Sequence, residues 1–324
     1  MSSRITRSLL GGSLAACLLF ACGGNDATGD LTVLLEAEDT ITDGLTAGTT
    51  GEAIQDGWEV SFDKYIVAIG DIDIRLASDS TVAESDPAVF VVDLAKIPEA
   101  GLPLWSFTAI EPGDWEFRYA TPAAGSGATR HDSVEVVDFD AMVAGGHTYL
   151  VTGSLTRAGG QSCPPSALAQ PGGKIASGNN GTDDCYDSAA ITFSFALAAA
   201  TVFGPCEVDE IAGFNVPSDG SQTVAATIHG DHLFFNGFPE GAEGGVMRLA
   251  QWLADSDLDL DGAVEQSELM MITPSALAEL DTRFQLGGSP ISPLTNMVDY
   301  LTAQLKTQGH FQGEGECPVD GLTL

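Results

Sequence analysis

Lysine is scarce in this chain. Only four occur among 324 residues, and with arginine the basic total is 12 against 46 acids. A field of that sign repels phosphate backbones and anionic lipid surfaces, which excludes a nucleic-acid-binding role. No apolar run beyond the N-terminal stretch approaches the roughly 20 residues that a membrane-spanning helix needs. CxxC spacing is missing, which weighs against a thiol metal site. Neither GxSxG, HExxH, a P-loop nor a strand-linked GxGxxG occurs, so no reaction is written in a motif. There is no internal repeat. Apolar residues nevertheless make up 44% and charged residues 18%, which is a folding composition and not a disordered one. The length suits one large domain or two intimate ones.

The N-terminal stretch reads as an export signal. Arg4 and Arg7 supply positive charge, and Leu9 to Ala21 is apolar apart from Gly11, Gly12 and Ser13. That length matches a signal-peptide core and is too short for a membrane span. It ends in Leu19-Phe20-Ala21-Cys22, followed by Gly23-Gly24-Asn25-Asp26. This resembles the lipobox of bacterial lipoproteins, which implies that Cys22 is lipidated and becomes the mature N-terminus. Leu14-Ala15-Ala16-Cys17 is closer by residue type, but it would leave Leu18-Leu19-Phe20 outside the signal. A plain secretory signal is the other reading. Gly23 and Gly24 lack the Asp that retains similar lipoproteins in the inner membrane, so the resemblance favours the outer membrane, with the face left open. Signal removal leaves 46 acids against 10 bases.

Four cysteines then remain: Cys163, Cys185, Cys206 and Cys317. An even count in an exported chain suggests two disulfides, with three pairings possible. The expected pairing is Cys163–Cys185, closing the Pro164–Asp184 loop, and Cys206–Cys317, tying the tail to the body.

Expected domains are a signal at 1–21, a tether at 22–30, a β-sandwich at 31–238 and a helical EF-hand segment with tail at 239–324, packed on the sandwich. Ile191, Phe193, Phe195 and Leu197 alternate with smaller or polar residues, the period of a half-buried strand. Trp58, Val60 and Phe62 alternate too, then slip to Tyr65, Val67 and Ile69 and resume at Ile72 and Ile74. Such a slip predicts a bend or bulge near Asp63–Lys64. Ala88–Leu94, Leu104–Ile110, Trp115–Ala120, Val134–Phe139, His147–Leu155 and Thr223–His229 are further expected strands. Glu111-Pro112-Gly113-Asp114 has the residues of a hairpin turn. About nine short strands without alternating helices predict a mainly β fold, an antiparallel β-sandwich. Trp58, Trp105, Trp115 and Phe107 are expected in its packing.

After Phe238 the period changes. Val246, Leu249, Ala250 and Leu253 predict an amphipathic helix, and a second should begin near Glu265. Thr273-Pro274 and Ser292-Pro293 look like N-caps followed by proline. Leu294, Met297, Val298, Leu301 and Leu305 give the last helix an apolar face.

The strongest chemical signal lies between these helices, at Asp257-Leu258-Asp259-Leu260-Asp261-Gly262-Ala263-Val264-Glu265-Gln266-Ser267-Glu268. Calcium takes six to eight oxygen ligands, and a twelve-residue loop wraps it when oxygens recur at alternate positions around a sharp turn. Asp257, Asp259 and Asp261 fill positions one, three and five, and Gly262 fills the turn. Ala263 would offer its carbonyl, Glu265 would act through water, and Glu268 would bind with both oxygens. Val264 would pack inward. This segment resembles the EF-hand family, which implies calcium as cofactor. EF-hands usually pair and no second loop is present, so a structural calcium ion is expected before a switch.

His229-Gly230-Asp231-His232 stands where a strand should end, and His310 lies in the tail. Imidazoles are common transition-metal ligands. His229, Asp231 and His232 would bind zinc or copper, joined by His310 if the Cys206–Cys317 bridge brings the tail near. Hydrogen-bonding turn histidines are the plainer alternative. HGDHLFF and the terminal GHFxGEGEC look similar to uncharacterised bacterial lipoproteins, a resemblance over the last stretch of chain that names no activity. Three functions follow as expectations. The first is a non-enzymatic, calcium-binding, lipid-anchored envelope protein with an unidentified envelope or surface partner. The second is a transition-metal binder using His229 and His232. The third is a secreted hydrolase with an unrecognised site.

Overall fold

The computed structural model describes residues 27–49, 51–169, 185–239 and 245–320. Cys22 and the rest of the signal, and most of the loop between Cys163 and Cys185, lie outside them. The fold is mainly β. One sheet of seven strands runs Ile211–Ala212, Glu207–Val208, Gly315–Glu316, Gly309–Phe311, Ser221–Ile228, Gly29–Ala37, Leu102–Ile110. A ten-stranded sheet has the spine Ala263–Glu265, Ala190–Leu197, Tyr149–Thr156, Glu59–Leu76, Gly113–Thr121, Thr201–Phe203, Val319–Asp320. Most neighbours are antiparallel. Gly29–Ala37 beside Ser221–Ile228, and Ala190–Leu197 beside Ala263–Glu265, are parallel.

Alternation decides which faces meet. Leu31, Val33 and Leu35 point inward from one sheet, and Tyr149, Val151, Leu155, Ile191, Phe193, Phe195 and Leu197 from the other. Both sets belong to one continuous core, in which Phe117 stacks on Phe311 at 4.9 Å between ring centres. Trp58, Trp105, Trp115 and Phe107 are all buried in it.

The 18-residue strand Glu59–Leu76 carries the bulge expected near Asp63–Lys64, as a register shift between Phe62 and Lys64. A second shift follows Gly70, where Asp71 adopts φ 52°. Between the shifts both faces of the strand are buried. Tyr65, Val67 and Ile69 join the main core, while Ile66 and Ala68 join a smaller one with Val91, Val134 and Met142. The smaller core exists because Val136–Gly145 is a helix and not the strand expected over Val134–Phe139. Asp138 and Met142, one helical turn apart, are its buried positions, Val134 is buried just before it, and Gly146 at φ 60° ends the helix. Val136 and Val137 are left exposed.

Glu111–Asp114 is not a hairpin. Leu102–Ile110 pairs in one sheet and Gly113–Thr121 in the other, so the turn carries the chain across the core. Trp115 anchors it by donating its indole N–H to the Glu111 carbonyl at 2.9 Å.

Gly153 faces both Phe62 and Phe193 across the sheet, and these two rings meet edge to face at 6.1 Å. A Cβ there would collide with the Ser61 carbonyl oxygen and meet the Phe193 ring at 2.6 Å. Gly153→Ala should therefore cost about 1–3 kcal/mol by overpacking. Urea unfolding with an unchanged m-value checks it, and a neutral result would mean that the bulge absorbs the methyl.

The C-terminal segment is less helical than expected. Only Gln251–Ala254 is helical in the first predicted helix. Just before it the backbone is bound elsewhere: Asn236 N–H donates to Met247 O at 2.9 Å and Leu249 N–H to Phe234 O at 2.7 Å. The Asp56 carboxylate accepts from the N–H groups of Ala250 and Gln251, both at 2.8 Å, and so sets the helix start. The next helices are Gln266–Leu269, Pro274–Leu280 and Met297–Leu305. Thr273 caps the second of these, accepting from Ala276 N–H at 3.2 Å. Asn296, not Ser292, caps the last, accepting from Asp299 N–H at 3.0 Å. The tail then enters both sheets, as Gly309–Phe311 and Gly315–Glu316 in one and Val319–Asp320 in the other. Cys163–Cys185 and Cys206–Cys317 are both bonded.

Candidate metal centres

The Asp257–Glu268 loop closes on its own carboxylates. Asp257 accepts from Asp261 N–H at 3.0 Å and Gly262 N–H at 2.9 Å. Asp259 accepts from Asp261 N–H at 3.1 Å, and Asp261 from Ala263 N–H at 3.0 Å. Glu268 accepts from Leu258 N–H at 2.8 Å through one oxygen and Glu265 N–H at 2.9 Å through the other. Gly262 takes φ 84°, open on its Cβ side, where any larger residue would be strained. Asp257, Asp259 and Glu268 each place an oxygen within 4.8 Å of the others. Asp261, Ala263 and Glu265 line the same hollow without joining that closest group.

Among the described residues, the loop's short strand pairs with a sheet edge and not with a second loop. Ala263–Glu265 pairs in parallel with Thr192–Ser194 at the edge of the ten-stranded sheet. Val264 beside Phe193 is fully buried. The Gly262 carbonyl accepts from Thr192 N–H at 3.0 Å. Successive carbonyls of an extended chain point opposite ways, so Ala263 O faces back into the hollow. Gln266 extends the seam, accepting from Ala196 N–H at 3.3 Å.

Burial pushes the Asp257 carboxyl above its ordinary range, and the charges of Asp259 and Asp261 add to this. Burial does the same to Glu268, with Asp257 adding. These are oxygens whose negative charge is costly until a cation arrives. Upstream, Asp255 joins the first disulfide to the loop, accepting from Cys163 N–H at 2.7 Å and from the Gln251 amide at 2.8 Å. Burial pushes its carboxyl up to about 7. Its contribution to stability is thus full below the unfolded-chain value and is lost as pH rises through about 7. In calcium-free buffer, unfolding temperature should fall over that window, and Asp255→Asn should flatten the profile. Parallel profiles for variant and parent would refute this.

The second cluster gathers residues far apart in the chain. His229 follows strand Ser221–Ile228, His232 lies in the short 3-10 helix Asp231–Phe234, and His310 pairs with Thr227. One ring nitrogen from each lies within 4.8 Å of the others. Asp231, also expected here, is ion-paired with Arg248, whose Nε donates at 2.6 Å. It still groups with His229 and Glu38. Glu38 is the residue that sequence reasoning missed. Parallel pairing of Ala37 with Ile228 brings it to His229 Nδ1 at 3.5 Å, a proximity that no local pattern encodes.

Hydrogen bonds assign the protons. Thr307 Oγ1 gives its proton to Gln304 O at 2.8 Å, so it must accept from His232 Nδ1 at 2.9 Å. The His232 Nε2 lone pair is then free. His229 Nε2 donates to Gly313 O at 3.0 Å, which turns its Nδ1 lone pair toward Glu38. Burial pushes Glu38 up to about 8, with Asp231 adding. Burial holds His232 well below its ordinary value and His310 down at about 3, with His229 contributing to both.

No family model, curated protein or solved structure matches this chain. The residues themselves therefore carry the functional reading.

Proposed function

We propose that this chain is a calcium-binding, lipid-anchored envelope protein, built as a sandwich with an EF-hand-like loop at one sheet edge and carrying out no reaction. The observation that carries the reading is the seam between Ala263–Glu265 and Thr192–Ser194. It fixes one side of a loop whose other side is lined by carboxylates. The family resemblance supplies calcium, and the all-oxygen donors are those a hard cation prefers. Lone EF-hand loops lack the partner that normally braces the loop strand; here the sheet edge braces it. Calcium then acts as a structural clamp joining the loop to the sheet. Export is supported by the two disulfides, and anchoring by Leu19-Phe20-Ala21-Cys22. Outer-membrane placement follows the same resemblance.

Calorimetric titration of the full chain with calcium tests the central claim. One site with a dissociation constant on the order of 10⁻⁴–10⁻³ M is expected, the range of extracellular modules. Magnesium, which demands a tighter octahedron, should bind more weakly. Absence of saturable binding would end the calcium reading. Mass spectrometry of the membrane fraction tests the anchor, since Cys22 should carry diacylglycerol and Cys22→Ala should release the chain.

A further inference from the structure

We propose that His229, His232 and His310 form a second metal site, taking a borderline transition ion such as zinc or copper, separate from the Asp257–Glu268 loop. Three observations converge on it. With the three nitrogens mutually within 4.8 Å, a point exists within ~2.8 Å of all of them, close to the roughly 2.0–2.1 Å of a zinc–imidazole bond. The protons assigned above leave lone pairs on His232 Nε2 and on His229 Nδ1, the latter facing Glu38. Finally, His310 Nδ1 is buried with no hydrogen-bond partner. An orphaned buried nitrogen is destabilising, and an ion would relieve it.

Outer contacts already orient the ligands. Thr307 holds His232, and the Glu38 side chain stands beside His229. The three imidazoles favour zinc or copper over calcium or magnesium. One rearrangement is required. The His229 and His310 rings stack at 3.8 Å and 25°, so their in-plane lone pairs meet at one ion only after a ring turns. Pairing with Thr227 and Glu316 holds the His310 backbone in place while it does so.

The test uses the full chain, stripped of metals and then kept in saturating calcium so that the loop does not compete. Zinc titration should show one site per chain. Cobalt should give the visible bands of a four-coordinate ion and be displaced by zinc. His232→Gln and His310→Gln should each weaken zinc by at least about 100-fold, and Glu38→Gln by about 10–100-fold, while Glu268→Ala leaves zinc affinity unchanged. Melting curves establish that each variant is folded. Copper resonance of the unmutated chain is independent of any variant: splitting from three nitrogens supports the site, and splitting from two or fewer overturns it. Folded chain that binds neither zinc nor cobalt, or folded variants that bind as the parent does, also overturn it.

Discussion

Calcium should raise the unfolding temperature of the chelator-stripped chain by roughly 3–11 °C at 10 mM, and Glu268→Ala should abolish the gain. The estimate follows from linkage. With a dissociation constant of about 10⁻⁴–10⁻³ M, 10 mM calcium adds about 1.4–2.7 kcal/mol. In a chain of this size each kcal/mol moves the midpoint by roughly 2–4 °C. The loop can take up that stabilisation only if it is part of the cooperative unit. Val264 in the core and the pairing of Ala263–Glu265 with Thr192–Ser194 make it one. Without the ion, Glu268→Ala acts in two opposing directions. It removes a carboxylate that burial and Asp257 make costly, and it removes the acceptor of the Leu258, Asp259 and Glu265 N–H groups. The decisive quantity is therefore the calcium-dependent increment and not the variant's absolute stability. Glu268→Gln refines the test, because it keeps a carbonyl acceptor for the loop while removing the charge. An increment that survives in both variants would place the ion elsewhere. An increment near zero in the parent would mean that the hollow holds no calcium.

The same loop shows why some of this protein could be read from its sequence. Oxygen spacing around Gly262 is a local pattern, and from it the fold gathers Asp257, Asp259 and Glu268. The alternation of Ile191–Leu197 and the slip after Phe62 are equally local, and both appear as a half-buried strand and a bulge. Val134–Phe139 misled because its valines favour strands, whereas its burial repeats every four residues on a face that only the smaller core reveals. Val246–Leu253 has the helical period, yet its backbone partners are Asn236 and Phe234, which periodicity does not show. The turn at Glu111–Asp114 has the right residues, but which sheet each flanking strand enters is a non-local choice. Glu38 is the sharpest case. Its proximity to His229 exists only because Gly29–Ala37 and Ser221–Ile228 lie side by side in parallel.

Removing the Cys206–Cys317 bridge should cost more than removing Cys163–Cys185, by about 1–1.5 kcal/mol, with totals of roughly 4.8 and 3.4 kcal/mol. The reason is the length of chain each closes, 111 against 22 residues of sequence separation. Releasing a long loop returns more freedom to the unfolded chain. The folded side points the same way. The long bridge fixes a tail whose strands are only two or three residues each, Gly309–Phe311, Gly315–Glu316 and Val319–Asp320. Gly204 N–H to Pro318 O, at 2.8 Å, is one of the few backbone bonds holding its end. Paired Cys→Ala substitutions make the comparison cleanly, because Cys206 is fully buried and a serine there would bury an unpaired hydroxyl. Urea denaturation of the two double variants, in saturating calcium, reads the difference directly. A larger loss from the short bridge would show that residues near Cys163, including the Asp255 contact, matter more than chain entropy. The long-bridge variant should also lose hydrogen-exchange protection at His310 and Phe311 before the rest of the sheet, since their strand is held between Ser221–Ile228 and a short hairpin that the bridge ties to Cys206.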